Sequence, residues 1–209
     1  MPFVDLSHPL AHGQPAYPGD PELSVTEHSS IAATGCNVSR ICIGSHQGTH
    51  LDAMHHIFSD GRTIDQMPLD WFYGPGRVLR LPRQAGGTIR FEDLSPFESE
   101  LQPEAKIILA TGWDKVHGQP GYFTRAPSLT LTACRYLVSR KIRLLGMDMP
   151  SPGTDWQAIH RIFLARDAET VLVEGLANLD LVPDEFTFIG FPLPFHGLDG
   201  SPIRAVAAF

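Results

Sequence analysis

Several kinds of residue are scarce in this chain, and each scarcity narrows what it can be. Only three cysteines, Cys36, Cys42 and Cys134, occur in 209 residues, and no two form a Cys-x-x-Cys pair. An odd number without that spacing argues against a disulfide framework and predicts reduced thiols in a cytoplasmic setting. Each of the three reads as a small buried hydrophobe. Basic residues are also few: 16 Lys and Arg face 23 Asp and Glu, for a formal charge of −7. They are scattered without a run or interleaved aromatics, which argues against nucleic acid as a partner. Long apolar runs are missing as well. Ile107-Ile108-Leu109-Ala110 falls far short of the roughly 20 residues needed to span a bilayer, so a soluble protein is expected. Near the start stand Asp5, His8 and prolines at 2, 9, 15, 18 and 21, where an export signal needs a basic start and an apolar stretch. The length suits one domain, residues 1–209.

Histidine, by contrast, is concentrated. Four of the ten histidines lie between His46 and His56, with Asp52 among them. Imidazole nitrogens and carboxylate oxygens are ligands that divalent cations such as zinc accept, and a catalytic ion takes about three of them plus an open position. His46, His50 and Asp52 supply three. In an extended strand His46 and His50 would stand roughly 13 Å apart, too far for bonds of about 2 Å to one ion. The segment must therefore turn. Gly48 is suited to an unusual backbone conformation there, and Thr49 to tying its hydroxyl to neighbouring backbone. A looped ligand segment is expected, rather than a regular helix. His55 neighbours His56 and reads as a packing or solvent residue.

Apolar and β-branched runs predict strands at Val38 to Ile43, Val78 to Leu81, Lys106 to Ala110, Arg143 to Met147, Thr170 to Val173, Phe186 to Ile189 and Arg204 to Ala208. Leu131, Cys134, Leu137 and Val138 repeat at helical spacing after Thr130. Trp156, Ile159 and Phe163 do so in a helix from Asp155, its possible cap, to Arg166. With 18 prolines and 19 glycines, these elements predict an α/β domain of mixed sheets with few helices. Pro15 to Pro21 reads as a rigid loop, where Tyr17 either lines a pocket or packs in a surface turn. His160 on the second helix and Glu174 at the end of a buried strand could share a further ion with Asp52 bridging. A helical His and a strand-end Glu are each also common as structural residues, so spacing alone leaves both readings open.

The stretch His46 to His56 matches His-x-Gly-Thr-His-x-Asp-x-Pro-x-His with one exception, and here the chain resembles the cyclase family that includes bacterial kynurenine formamidases. Further matches run in order along nearly the whole chain: Val4 to Ser7, Pro18-Gly19-Asp20, Asn37-Val38-Ser39, Thr111-Gly112-Trp113, Gly146-Met147-Asp148 and Gly197 to Val206. The resemblance implies a swivelling β/β/α domain that assembles as a homodimer or larger, with a binuclear zinc or manganese centre. It implies His46, His50 and Asp52 at one ion, Asp52, His160 and Glu174 at a second, and His56 as the catalytic histidine. Met54 stands where the family has Pro, which would make the loop and pocket wall more adaptable. Tyr17 stands where kynurenine formamidases commonly have Trp, and Ser151 to Asp155 is longer than the usual Ser-x-Asp.

The expected chemistry is attack of activated water on a carbonyl carbon, with His56 moving the proton to the departing nitrogen. An N-formyl aromatic amine, formylkynurenine first, is the expected substrate, and a cyclic amide such as isatin or a lactone is the alternative. A non-catalytic metal-binding module fits less well, because structural zinc sites favour Cys and this cluster has none. A serine hydrolase is disfavoured, since Gly44-Ser45-His46-Gln47-Gly48 does not place Ser as a Gly-x-Ser-x-Gly elbow requires.

Overall fold

The runs 107–110 and 171–173 are apolar at successive positions, and neighbouring side chains of a strand face opposite ways, so these strands need cover on both sides. The computed structural model, which describes residues 2–209, supplies it. The first strands are β1 (Phe3–Asp5), β2 (Ser24–Ser29), β3 (Val38–Cys42), β4 (His50–Asp52), β5 (Tyr73–Arg80), β6 (Thr88–Ile89) and β7 (Lys106–Ala110). They are followed by β8 (Ser128–Leu129), β9 (Leu144–Met147), β10 (Val171–Glu174), β11 (Glu185–Ile189), β12 (Gly200–Pro202) and β13 (Val206–Ala208). Helices among the described residues are α1 (Ile31–Thr34), α2 (Phe91–Leu94), α3 (Leu131–Ser139) and α4 (Trp156–Phe163). One sheet of nine strands runs in the order β1-β13-β11-β5-β7-β9-β10-β4-β12. Its centre, β5-β7-β9-β10, is parallel, and the strands outside it pair antiparallel. This is the mixed α/β architecture with few helices that the composition predicts.

The alternation divides the core. Ile107, Leu109, Leu145, Met147 and Leu172 face α3 and α4, where they meet Ala133, Leu137, Ile159 and Phe163. Ile108, Leu144, Val171 and Val173 face the other way, against Leu51, Trp71, Phe186 and Phe188. Each large side chain buried in this manner stabilises the fold by about 1.5–3 kcal/mol. Thr130 caps α3 by accepting a hydrogen bond from the Ala133 amide at 3.2 Å.

Some boundaries differ from expectation. Strand β5 starts at Tyr73, five residues before Val78, because Gly74, Pro75 and Gly76 pair with β11 despite their turn-like composition. At Gly76 a Cβ would come within 3.2 Å of the Phe186 ring, so glycine here admits a side chain from the next strand. Helix α4 stops at Phe163, short of Arg166, and Asp155 makes no side-chain capping bond. Cys134 is buried as expected, but Cys36 and Cys42 are exposed. Cys42 ends β3, which pairs only with β2 in a two-stranded sheet and lacks cover at all five residues, and Cys36 lies in the exposed turn between α1 and β3. No helix among the described residues is long and apolar enough to cross a membrane.

Candidate metal centre

The turn expected before β4 is present. Gly48 has φ +67°, a left-handed conformation that calls for glycine. Thr49 ties down the turn through distant rather than neighbouring backbone: its hydroxyl donates to the Gly175 carbonyl at 2.5 Å and accepts from the His8 amide at 3.1 Å. The chain then enters β4, whose two-residue period puts His50 and Asp52 on one face and sends Leu51 into the core behind. Antiparallel pairing sets Glu174 of β10 directly opposite His50, hence on the same face. Helix α4 lowers His160 onto that face from above, on the side buried with Ile159 and Phe163.

Four elements thus deliver a cage. His50 Nε2 lies 3.5 Å from both Asp52 Oδ1 and Glu174 Oε2. His160 Nε2 lies 3.2 Å from Asp52 Oδ2 and 3.3 Å from Glu174 Oε1. His46 Nδ1 meets Asp52 Oδ1 at 2.8 Å. The outer nitrogens of two rings are held by backbone: Nδ1 of His50 donates to the Gly48 carbonyl at 2.9 Å, and Nδ1 of His160 to the Trp156 carbonyl at 2.7 Å. A carbonyl only accepts, so these protons sit on Nδ1 and leave Nε2 for the cage.

The donor set fits divalent cations. Asp52 Oδ2 and Glu174 Oε1 are buried and, although near His160, are not aligned to receive a hydrogen bond. A buried charged oxygen without a partner costs more than the roughly 1–3 kcal/mol of a neutral one, and a cation between the two carboxylates removes that cost. His46, His50 and Asp52 offer ligand atoms within 4.8 Å of one another, as do Asp52, His160 and Glu174 and, nearer the surface, His46, His56 and Asp199. Bonds of about 2 Å place ligands up to about 4 Å apart across an ion, so small adjustments suffice. Without a cation, protons balance the charge. Burial alone would lower the His46 pKa, but Asp199 and Asp52 outweigh it and push it up to about 10. Burial also opposes protonation of His160, yet Asp52 and Glu174 raise it to about 10. Burial acts to raise the Asp52 pKa, but His160 and His46 hold it well below the usual carboxylate range.

A cavity of about 260 Å³ adjoins the cage, lined among others by Tyr17, His56, Pro150, Ser151 and Trp156. Tyr17 is therefore a cavity residue, braced edge-on by Phe123 with ring centres 5.8 Å apart. His56 lies outside the buried cage, its ring centre 4.1 Å from that of His46 and its Nδ1 3.6 Å from Asp199. His55 is not among the clustered ligands, as expected. Met54 does not form the cavity wall: it is buried in the core with Leu51 and Phe72, because the short helical turn after β4 points it inward. The sequence reading missed Asp199 and Trp156. Trp156 opens α4 with its ring 6.4 Å from His56, an aromatic wall that helical spacing presented only as core. Asp199 arrives because Gly200 pairs with Asp52, and the Asp199 carbonyl accepts the Ala53 amide at 2.9 Å. A Cβ on Gly200 would lie 2.8 Å from the His46 ring, so this glycine makes room for the imidazole.

Fold and site together define a class, proteins that gather imidazoles and buried carboxylates into a cation cage beside a cavity at the end of a sheet strand. Residues 4–154 match the family described as "Putative cyclase", and the chain belongs to that family. It is 30% identical over 210 residues to a kynurenine formamidase of Geobacillus thermodenitrificans, covering 98% of this chain and 96% of the relative. An isatin hydrolase bound to the product analogue thioisatinate superposes with a TM-score of 0.86 at 24% identity, over 98% of this chain and 91% of that one. A potential metal-dependent hydrolase with cyclase activity superposes with a TM-score of 0.83 at 23% identity, over 99% and 96% of the two chains.

Proposed function

We propose that the protein is a metal-dependent arylformamidase, which adds water across the formyl amide of N-formylkynurenine to give kynurenine and formate. One observation carries the reading: the cage and a histidine outside it, His56, open on the same aromatic-walled cavity. The full-length similarity to a kynurenine formamidase supports the choice of substrate. In this reading His46, His50 and Asp52 hold one zinc ion and Asp52, His160 and Glu174 a second, with manganese able to replace zinc. A divalent cation, when bound, supplies Lewis acidity, which lowers the pKa of water to about 7 and polarises a carbonyl. His56 takes the proton of the attacking water and returns it to the departing arylamine nitrogen, a role suited to an imidazole. Tyr17 and Trp156 flank the aryl ring of the substrate. Residues 1–209 act as one domain, in a cytoplasmic homodimer or larger assembly.

The likeness to an isatin hydrolase favours a second reading, opening of a cyclic amide by the same residues. Protein stripped of metal, then restored with zinc or manganese, is assayed on N-formylkynurenine, isatin and simple lactones. Fastest metal-dependent turnover of N-formylkynurenine is expected. Preference for isatin would select the second reading, and metal binding without any hydrolysis would leave a non-catalytic module.

A further inference from the structure

The geometry points to Asp199 as a positioning residue that orients a metal ligand and the proton-transferring histidine with the same carboxylate oxygen. This rests on the reading of His46 as a ligand and His56 as the proton carrier. Asp199 Oδ2 lies 2.9 Å from Nε2 of His46 and 3.6 Å from Nδ1 of His56. Its backbone is fixed, since its carbonyl accepts the Ala53 amide and the next residue pairs with β4. The sheet therefore sets the point from which the carboxylate reaches both rings.

Comparison of the three caged imidazoles sharpens the assignment. His50 and His160 spend Nδ1 on backbone carbonyls and turn Nε2 inward. His46 is reversed: its Nδ1 faces Asp52 and its Nε2 faces Asp199. A carboxylate accepting from the outer nitrogen of a ligand histidine fixes ring orientation and tautomer and strengthens the inner nitrogen as a donor. His46 would thus bind its cation through Nδ1 while Nε2–H stays on Asp199. At 3.6 Å the same oxygen stands just outside hydrogen-bond distance of Nδ1 of His56, so a shift of a few tenths of an ångström would let it accept Nδ1–H and leave Nε2 of His56 as the nitrogen able to accept a proton. The carboxylate touches no substrate in this scheme.

Ring-nitrogen NMR of the zinc-loaded, 15N-labelled protein tests the first half without any substrate. A proton on Nε2 of His46, with Nδ1 protonated in His50 and His160, is the expected pattern, and an Nδ1-protonated His46 would overturn the proposal. Asp199→Ala and the isosteric Asp199→Asn test the rest, with circular dichroism selecting whichever variant is folded. Zinc affinity, measured by competition with a chromogenic chelator, should weaken about 10–100-fold. At saturating zinc, kcat should remain at least about tenfold below that of the parent with KM little changed, since misplacing a reacting group by about 1 Å costs up to about 100-fold. Unchanged zinc affinity, or a kcat that recovers fully at saturating zinc, overturns the dual role. Absence of turnover in the parent itself would count against the proposed activity and leave the NMR and affinity results to decide on Asp199.

Discussion

At the scale of single residues, the groups proposed to hold a cation are distinct from the group proposed to move a proton. His56 stands outside the carboxylate cage, so His56→Ala should lower kcat by about 10²–10⁴-fold while bound zinc stays constant. Rate measurements paired with elemental analysis check this; loss of zinc in proportion to activity would make His56 a ligand instead. His46, His50 and Asp52 were legible in the sequence because they lie within one short segment, where the reach of the backbone demanded a turn at Gly48. Tyr17 was legible only as one of two alternatives. Nothing in local spacing marks Asp199, whose neighbours Leu198 and Gly200 suggest only a loop, and its place follows from pairing between strands nearly 150 residues apart in sequence.

Elements were legible where burial left a strong pattern. Strands β7, β9 and β10 are read almost to the residue, since both faces are covered and the runs are mostly apolar, and β11 is read from the alternation of buried Phe186 and Phe188 with less covered neighbours. Strands β4 and β12 were invisible: His50-Leu51-Asp52 and Gly200-Ser201-Pro202 are short and polar, and only their neighbours make them strands. These unseen pairings assemble the centre. The resemblance to a family was needed to join His160 and Glu174 to His46, His50 and Asp52, because a helix face and a strand end carry no common spacing. One residue tests the junction of β10 with the ligand turn. Gly175 follows Glu174 with φ +64°, and a Cβ there would lie 2.8 Å from the Gly48 carbonyl oxygen. Gly175→Ala should therefore destabilise the fold by about 1–3 kcal/mol, through left-handed strain and collision with backbone, and weaken zinc binding by displacing the turn. Denaturant titration alongside chelator competition measures both, and a variant as stable as the parent would show that the close approach is not confining.

For the whole molecule, the centre links folding, protons and metal. In metal-free protein the pKa values of His46 and His160 lie near 10, above the ordinary 6.5, so the stability they confer is complete below pH 6.5. That stability fades as pH rises through about 10. Asp52 works in the opposite sense, its contribution being lost as acid protonates it. Cation binding must displace the imidazole protons, so zinc affinity should increase with pH and binding should release protons, as calorimetry in buffers of different ionisation enthalpy would record. Thermal unfolding with and without zinc should diverge most on the alkaline side; parallel curves would mean that the histidines do not carry the compensating charge. The most direct test of the central claim is anomalous diffraction at the zinc edge from crystals of zinc-loaded protein. Two peaks flanking Asp52 are predicted, one beside His46 and His50 and the other beside His160 and Glu174, whereas zinc bound elsewhere with this cage empty would contradict the account.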